Sequence, residues 1–196
     1  MSETTVLTDD LQTLLDAASI APGIATRWPD YRALLIVAEG FAPTGDVAYA
    51  ETFLGETEAR IRAMGEVDWG QHPHMAAWNE AYRGFGAKPQ RTRPSALALL
   101  KRVGGGLPRI DPATDLYNAI SVGHVLPIGG EDIAGYEGPP RLVSATGDEP
   151  FETTDSGEAV IDHPAAGEVV WRDDRGVTCR RWNWRQGTRT RITPET

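Results

Sequence analysis

The sequence predicts an α+β fold with a mixed or antiparallel sheet, and two observations carry that expectation. Up to about residue 124 apolar residues recur mostly at helical spacing, whereas from Val125 onward Gly and Pro punctuate short strand-like pieces. Helices first and strands later, without steady βαβ alternation, is the pattern of an α+β domain. No internal repeat or low-complexity segment is present, and the Pro and Gly residues of 136–140 mark a turn, not a linker. At 196 residues the chain accommodates one generous domain. Residues 1–30 read as a helical extension and 31–196 as a single compact unit.

Thr8-Asp9-Asp10 followed by Leu11, Leu14, Leu15 and Ala18 predicts a capped amphipathic helix ending before Pro22-Gly23. The apolar run within 31–38 predicts a buried strand closed by Gly40 and Pro43. Residues 46–64 have helical spacing and stop at Gly65. A helix over 74–82 places Met75, Trp78 and Tyr82 along one face. Arg93-Pro94-Ser95 opens another, with Ala96, Leu97, Leu99, Leu100 and Val103 apolar and Gly104-Gly105-Gly106 as its stop. Residues 114–121 form a short helix, and strands are expected at 141–145, 159–161, 168–172 and 177–182.

Charge is segregated along the chain. The net charge is −9, yet thirteen of the 19 Lys and Arg fall in two acid-free windows, 83–109 and 175–191. The N-terminal third is acidic, from Glu3 to Asp68. Such separation suits one face for a polyanion on a molecule that elsewhere repels it. A pI near 4.9 excludes non-specific nucleic-acid coating, and with it a general DNA-binding role. The first fifteen residues have neither the positive start nor the apolar stretch of a signal peptide, and no apolar run is long enough to span a bilayer. The one cysteine, Cys179, precludes an internal disulfide and fits a reducing compartment. A cytoplasmic protein without membrane contact is expected.

Within the second window, Cys179-Arg180-Arg181-Trp182-Asn183-Trp184-Arg185, read as a strand, puts Arg181, Asn183 and Arg185 on one face and Trp182 and Trp184 on the other. Guanidinium groups bind phosphate or carboxylate, and indoles stack on bases. The same alternation also suits a tryptophan pair in the core and solvated arginines.

The densest candidate site runs from Asp115-Leu116-Tyr117-Asn118 to Leu126-Pro127-Ile128-Gly129-Gly130-Glu131-Asp132. Glycines at 129 and 130 allow close approach and can offer backbone N–H groups to a developing oxyanion; Asp132 can hold an ammonium or, alternatively, cap the next segment. His72-Pro73-His74 lacks further ligands at useful spacing, so no metal and no cofactor are expected. Ser121, His124 and Asp132 contain triad residue types without a nucleophile elbow. Arginines beside Cys179 favour a thiolate, but its alternating position favours the core.

These pieces, in order, resemble the freestanding B3/B4 domain, a relative of the editing module in the phenylalanyl-tRNA synthetase β subunit. The matching residues are Trp78, Tyr82, Gly86, Lys88-Pro89, Arg93-Pro94-Ser95-Ala96, Leu107-Pro108, Asp115-Leu116-Tyr117-Asn118, Leu126-Pro127-Ile128-Gly129-Gly130, Gly167-Glu168-Val169-Val170 and the run from Cys179 to Arg185. The resemblance implies an α+β unit, tRNA as partner and hydrolysis of the ester of mischarged tRNA in trans, with tRNA or amino-acid-like ligand binding without turnover as the alternative. It departs from the synthetase domain where a histidine follows the Pro-apolar pair, a position held here by Gly129. Relatives continue with another strand and a helix past the equivalent of Thr196, which implies an exposed edge or a protein partner there.

On that reading Asn118 and the N–H groups of Gly129 and Gly130 form the catalytic set. Asp132, Glu168, Arg181 and Asn183 bind the aminoacyl end, and Arg83, Lys88, Arg91, Arg93, Arg185 and Arg189 meet tRNA phosphates. Convergence of these distant residues is the geometric demand placed on the fold.

Overall fold

The structure, a computed structural model, describes residues 8–40, 42 and 44–196. Glu3 of the acidic third, residues 1–7 of the first fifteen and Pro43 lie outside the described residues.

Helix α1 (Asp9–Asp16) forms as the spacing predicts, although Thr8 makes no side-chain cap. A two-residue strand, β1 (Ser19–Ile20), leads into α2 (Pro22–Arg27), which Pro22 opens from its first turn. α3 (Val47–Ala63) is capped by Asp46, whose carboxylate accepts the Tyr49 N–H at 2.9 Å. It ends at Gly65, whose φ of 74° only glycine adopts without strain. α4 (Pro73–Gly84), α5 (Ser95–Leu100) and α6 (Pro112–His124) follow. Asp111 caps α6 twice, accepting from the Thr114 N–H at 2.8 Å and its hydroxyl at 2.7 Å. Leu54 and Ile61 of α3, Met75 of α4, Leu97 and Leu100 of α5 and Val122 of α6 make one apolar core.

The strands come later: β2 (Arg141–Ser144), the hairpin β3 (Phe151–Asp155) and β4 (Glu158–Asp162), then β5 (Val169–Arg172), β6 (Val177–Arg180) and β7 (Arg185–Gln186). Five form one sheet in the order β1-β2-β5-β6-β7, with β1 parallel to β2 and the remaining pairs antiparallel. The expected α+β fold with a mixed sheet is what the chain adopts. Among the described residues no helix is long and apolar enough to cross a membrane.

Ser19 and Ile20, within the stretch expected as an extension, pair with Arg141 and Leu142, and Ile24 is buried with Leu142, Val169 and Trp182. Two expectations are corrected. The run 31–38 is not a buried strand. Leu34 is 85% and Ile36 79% exposed, and the run pairs with no strand; the two-residue β1 holds the position beside β2 instead. Finally, Trp182 and Trp184 do not share a face. The strand stops at Arg180, and Arg181 and Trp182 take φ values of 47° and 66°, breaking the alternation.

That turn drops Trp182, 2% exposed, among Trp28, Tyr31 and Trp78 at ring separations of 4.9, 4.7 and 5.2 Å. It is fastened by Glu168. The carboxylate receives Arg180 in a two-pronged pair at 2.7 and 2.8 Å and accepts the Arg181 N–H at 3.2 Å. Arg180 also reaches Asp162 of β4 at 2.6 Å, tying the hairpin to the sheet. A second buried pair closes the far end. Asp173 accepts both terminal nitrogens of Arg189 at 2.8 and 2.9 Å, and the N–H groups of Glu137, Arg175 and Gly176.

Removing one member of a buried pair strands the other. Glu168→Ala is expected to lower unfolding free energy by about 3–5 kcal/mol, measured by urea denaturation; a loss below about 1 kcal/mol contradicts the role assigned to it. Burial works against an ionised Asp173, but Arg189 and the backbone donors outweigh it and hold its pKa below the ordinary value. The stabilisation is therefore complete above the unfolded pKa of about 3.9 and is lost as pH falls through the lower folded value. In Asp173→Asn the fall in stability across that acid window is expected to flatten.

Candidate functional site

A cleft of about 2160 Å³ runs between the helical layer and one end of the sheet. α6 supplies Asn118 to it, the loop after α6 supplies Gly129, Gly130 and Glu131, and the turn after β6 supplies Asn183 and Trp184. Arg91, Arg93, Arg102 and Arg185 border it with the exposed segment 32–40. Residues from three distant parts of the sequence thus meet around one space.

The glycine loop is fixed from behind. The Gln186 side-chain amide donates to the Gly130 carbonyl at 2.6 Å, and Ser121 Oγ–H donates to the Leu126 carbonyl at 2.6 Å. Neither glycine has a positive φ, but side chains pack closely against both. A Cβ at Gly129 would lie 3.0 Å from Gln186 Nε2, and one at Gly130 would lie 2.7 Å from Ile192 Cδ1 and 3.2 Å from Tyr117 Cε1. Among the described residues no acceptor takes the N–H of either glycine. Asn118 is buried at the cleft wall.

Asn183 has a divided role. Its Oδ1 accepts from the Tyr82 hydroxyl at 2.9 Å and from the Ser95 N–H at 3.1 Å, which fixes the amide orientation because a backbone N–H can only donate. Its Nδ2 is buried and has no partner among the described residues, as is also true of Ser95 Oγ; both residues border the cleft. Beside them Trp184 stands in the wall with the Arg181 guanidinium carbon 4.3 Å from its ring centroid.

The other residues singled out in the sequence lie elsewhere or are engaged. Arg181 and Glu168 do not border the cleft; Glu168 holds Arg180 and Arg181, and Arg181 also donates to Thr92 Oγ1. Asp132 borders it, but its carboxylate caps the next turn, accepting from Ala134 N–H at 2.9 Å, and accepts Thr196 Oγ–H at 2.8 Å. This is the capping alternative weighed for Asp132. Arg189 is locked on Asp173, and Arg83 pairs with Glu80 at 3.2 Å on the surface. Arg109, from the same basic window, is held by Glu51 and Glu58. Lys88 is exposed outside the cleft. Cys179 borders the cleft, yet burial and then nearby Glu131 push its thiol pKa up, against a thiolate at neutral pH.

Glu131 is the group that sequence reasoning passed over. Its carboxylate accepts from the Tyr136 hydroxyl and, at 3.3 Å, from Thr190 Oγ–H, and burial pushes its pKa above the usual value. The sequence signal was only an acid following two glycines and preceding another acid.

Asn183→Ala is expected to leave the Ser95 N–H and the Tyr82 hydroxyl unpaired and to cost about 1–3 kcal/mol for each group left so. Thermal and urea unfolding measure it, and an unchanged midpoint contradicts the anchoring role.

The model of the B3/4 domain family matches residues 77–196, from within α4 to the end of the chain; these include Asn118, Gly129, Gly130, Glu131, Asn183 and Trp184 of the cleft wall but not the bordering residues 27–40. No curated protein and no solved structure matches the chain. B3/4 domains are associated with tRNA binding and occur in the phenylalanyl-tRNA synthetase β subunit. With the match extending over more than half its length, the chain belongs to the B3/4 domain family.

Proposed function

We propose that the protein removes wrongly attached amino acids from tRNA in trans, by hydrolysing the ester at the tRNA 3′ end within the cleft. The observation that carries this reading is that Asn118, the Gly129-Gly130 loop and Asn183 border one space rimmed by arginines. Water attacks the ester carbonyl, the bond to the ribose oxygen breaks, and a free amino acid and an uncharged 3′ end result. The ester is already activated and the neighbouring ribose hydroxyl can assist, so the protein needs chiefly to position the reactants and stabilise the oxyanion. The free N–H groups of Gly129 and Gly130 suit that stabilisation, and loss of one such donor typically costs about 2.7–4 kcal/mol in the barrier. Trp184, backed by Arg181, offers a stacking surface for the terminal base. Arg91, Arg93 and Arg185 at the rim, with Lys88 nearby on the surface, suit the phosphates leading to it.

A second reading, a module that holds aminoacyl-tRNA without turnover, is favoured by Gly129 standing where the synthetase domain has histidine. His74 borders the cleft, but its Nδ1 faces the Val125 carbonyl at 3.2 Å. Incubation with a panel of tRNAs charged with wrong amino acids separates the two. Faster ester loss for at least one member is expected. Unchanged loss with retained binding supports the holding module, and absence of both rejects the pair.

Binding of tRNA is also expected to weaken steeply with salt, with a logarithmic slope of about 0.7–0.9 per phosphate contact. Arg91→Ala and Arg93→Ala should each reduce that slope by about one contact's worth. Arg189→Ala is expected to act through stability instead, because its guanidinium is occupied by Asp173. A slope near zero in the wild type eliminates the phosphate track.

A further inference from the structure

We infer that Glu131, not Asp132, is the anionic counterpart of the substrate's α-ammonium group, making the cleft selective for a free α-amino acyl ester. The inference rests on the deacylase reading of the cleft and adds a specificity determinant to it.

Charge matching is the first argument. Among the described residues Glu131 is in no ion pair, although its side chain sits in a cleft wall where an uncompensated carboxylate is unfavourable. The nearest cationic influence, Arg189, is already committed to Asp173 in a two-pronged pair. Asp132, Glu168, Asp173 and Glu58 are all saturated by caps or arginines. Glu131 is thus a carboxyl at the cleft whose charged form has no cationic partner among the described residues.

Geometry is the second. Tyr136 and Thr190 each donate one hydrogen bond, one to each oxygen, and this orients the group. A carboxylate has about four lone-pair sites, so two donors leave it able to accept more. Glu131 follows Gly129 and Gly130 directly, and consecutive Cα atoms are about 3.8 Å apart. An α-amino ester carries its ammonium and its carbonyl on adjoining atoms. A carboxylate placed one or two residues from free backbone N–H groups matches both ends of that unit: the anion takes the ammonium and the donors take the carbonyl oxygen. An N-acylated or α-hydroxy ester has the carbonyl but not the cation.

The test uses non-hydrolysable 3′-aminoacylamino-3′-deoxyadenosine and its N-acetylated and α-hydroxyacyl counterparts, with binding measured by calorimetry on the full chain. Wild type is expected to prefer the free amine over both counterparts by about tenfold or more. Glu131→Gln should erase that preference by weakening only the free amine. Glu131→Asp, which retains the charge, should keep part of the preference, and Asp132→Asn should keep it whole. Circular dichroism melting establishes that each variant is folded; should Glu131→Gln fail to fold, the wild-type discrimination and the Asp variant still decide. Equal wild-type affinity for all three, or a preference surviving in Glu131→Gln, overturns the inference while leaving the deacylase reading intact. Failure of wild type to bind any of the three overturns the reading of the cleft itself, and the inference with it.

Discussion

The buried carboxylate of Glu168 is the constraint on which most of the molecule depends. It neutralises Arg180 at the end of β6 and accepts the Arg181 N–H, so the chain turns there through two consecutive non-glycine residues with positive φ. Such backbone costs of order 1–3 kcal/mol per residue and persists only where its surroundings over-determine it. Here the turn swings Trp182 into the aromatic cluster that joins α2, α4 and the sheet, and presents Asn183 and Trp184 to the cleft. A straight strand would have sent those residues to opposite faces of the sheet. The ion pair and the aromatic cluster thus support the same two residues from opposite sides.

This arrangement explains why a basic run in the sequence is not a basic surface. Arg180 and Arg189 lie inside, each with a carboxylate from a different loop or strand, and Arg109 bridges two acids of α3. The acids they use are spread from Glu51 to Asp173, outside the basic windows. The arginines that border the cleft, Arg27, Arg32, Arg91, Arg93, Arg102 and Arg185, have no acidic partner among the described residues.

What was legible in the sequence follows from what is local. Helical spacing, Gly65 as a stop and the antiparallel strands of the second half are set by neighbouring residues, and all are present, whereas the cap expected at Thr8 is not. Of the residues expected to meet, Asn118, Gly129, Gly130, Asp132 and Asn183 border the cleft, while Glu168 and Arg181 do not. Strand pairing was not legible. The run 31–38 has the composition of a buried strand yet pairs with none, and Ser19-Ile20, too short for any periodicity, takes the place beside β2. The choice between Glu131 and Asp132 was equally hidden: two successive acids differ only in which way the backbone turns them, and that is decided by Ala134, Tyr136, Thr190 and Thr196.

The parallel pairing of β1 with β2 has a kinetic side. Ser19 meets Arg141 across about 120 residues of intervening chain, one of the most non-local contacts in the molecule. Loop-closure entropy must be met before so distant a pair gains anything from its hydrogen bonds. During synthesis the N-terminal segment therefore emerges long before its place in the sheet exists, with Ile24 and Trp28 still lacking the sheet side of their eventual cluster. The helical layer, whose contacts are closer in sequence, has the means to form first. Docking of β1 then belongs to the late stage of folding, when residues near Leu142 become available and the first residues made are among the last to be fixed.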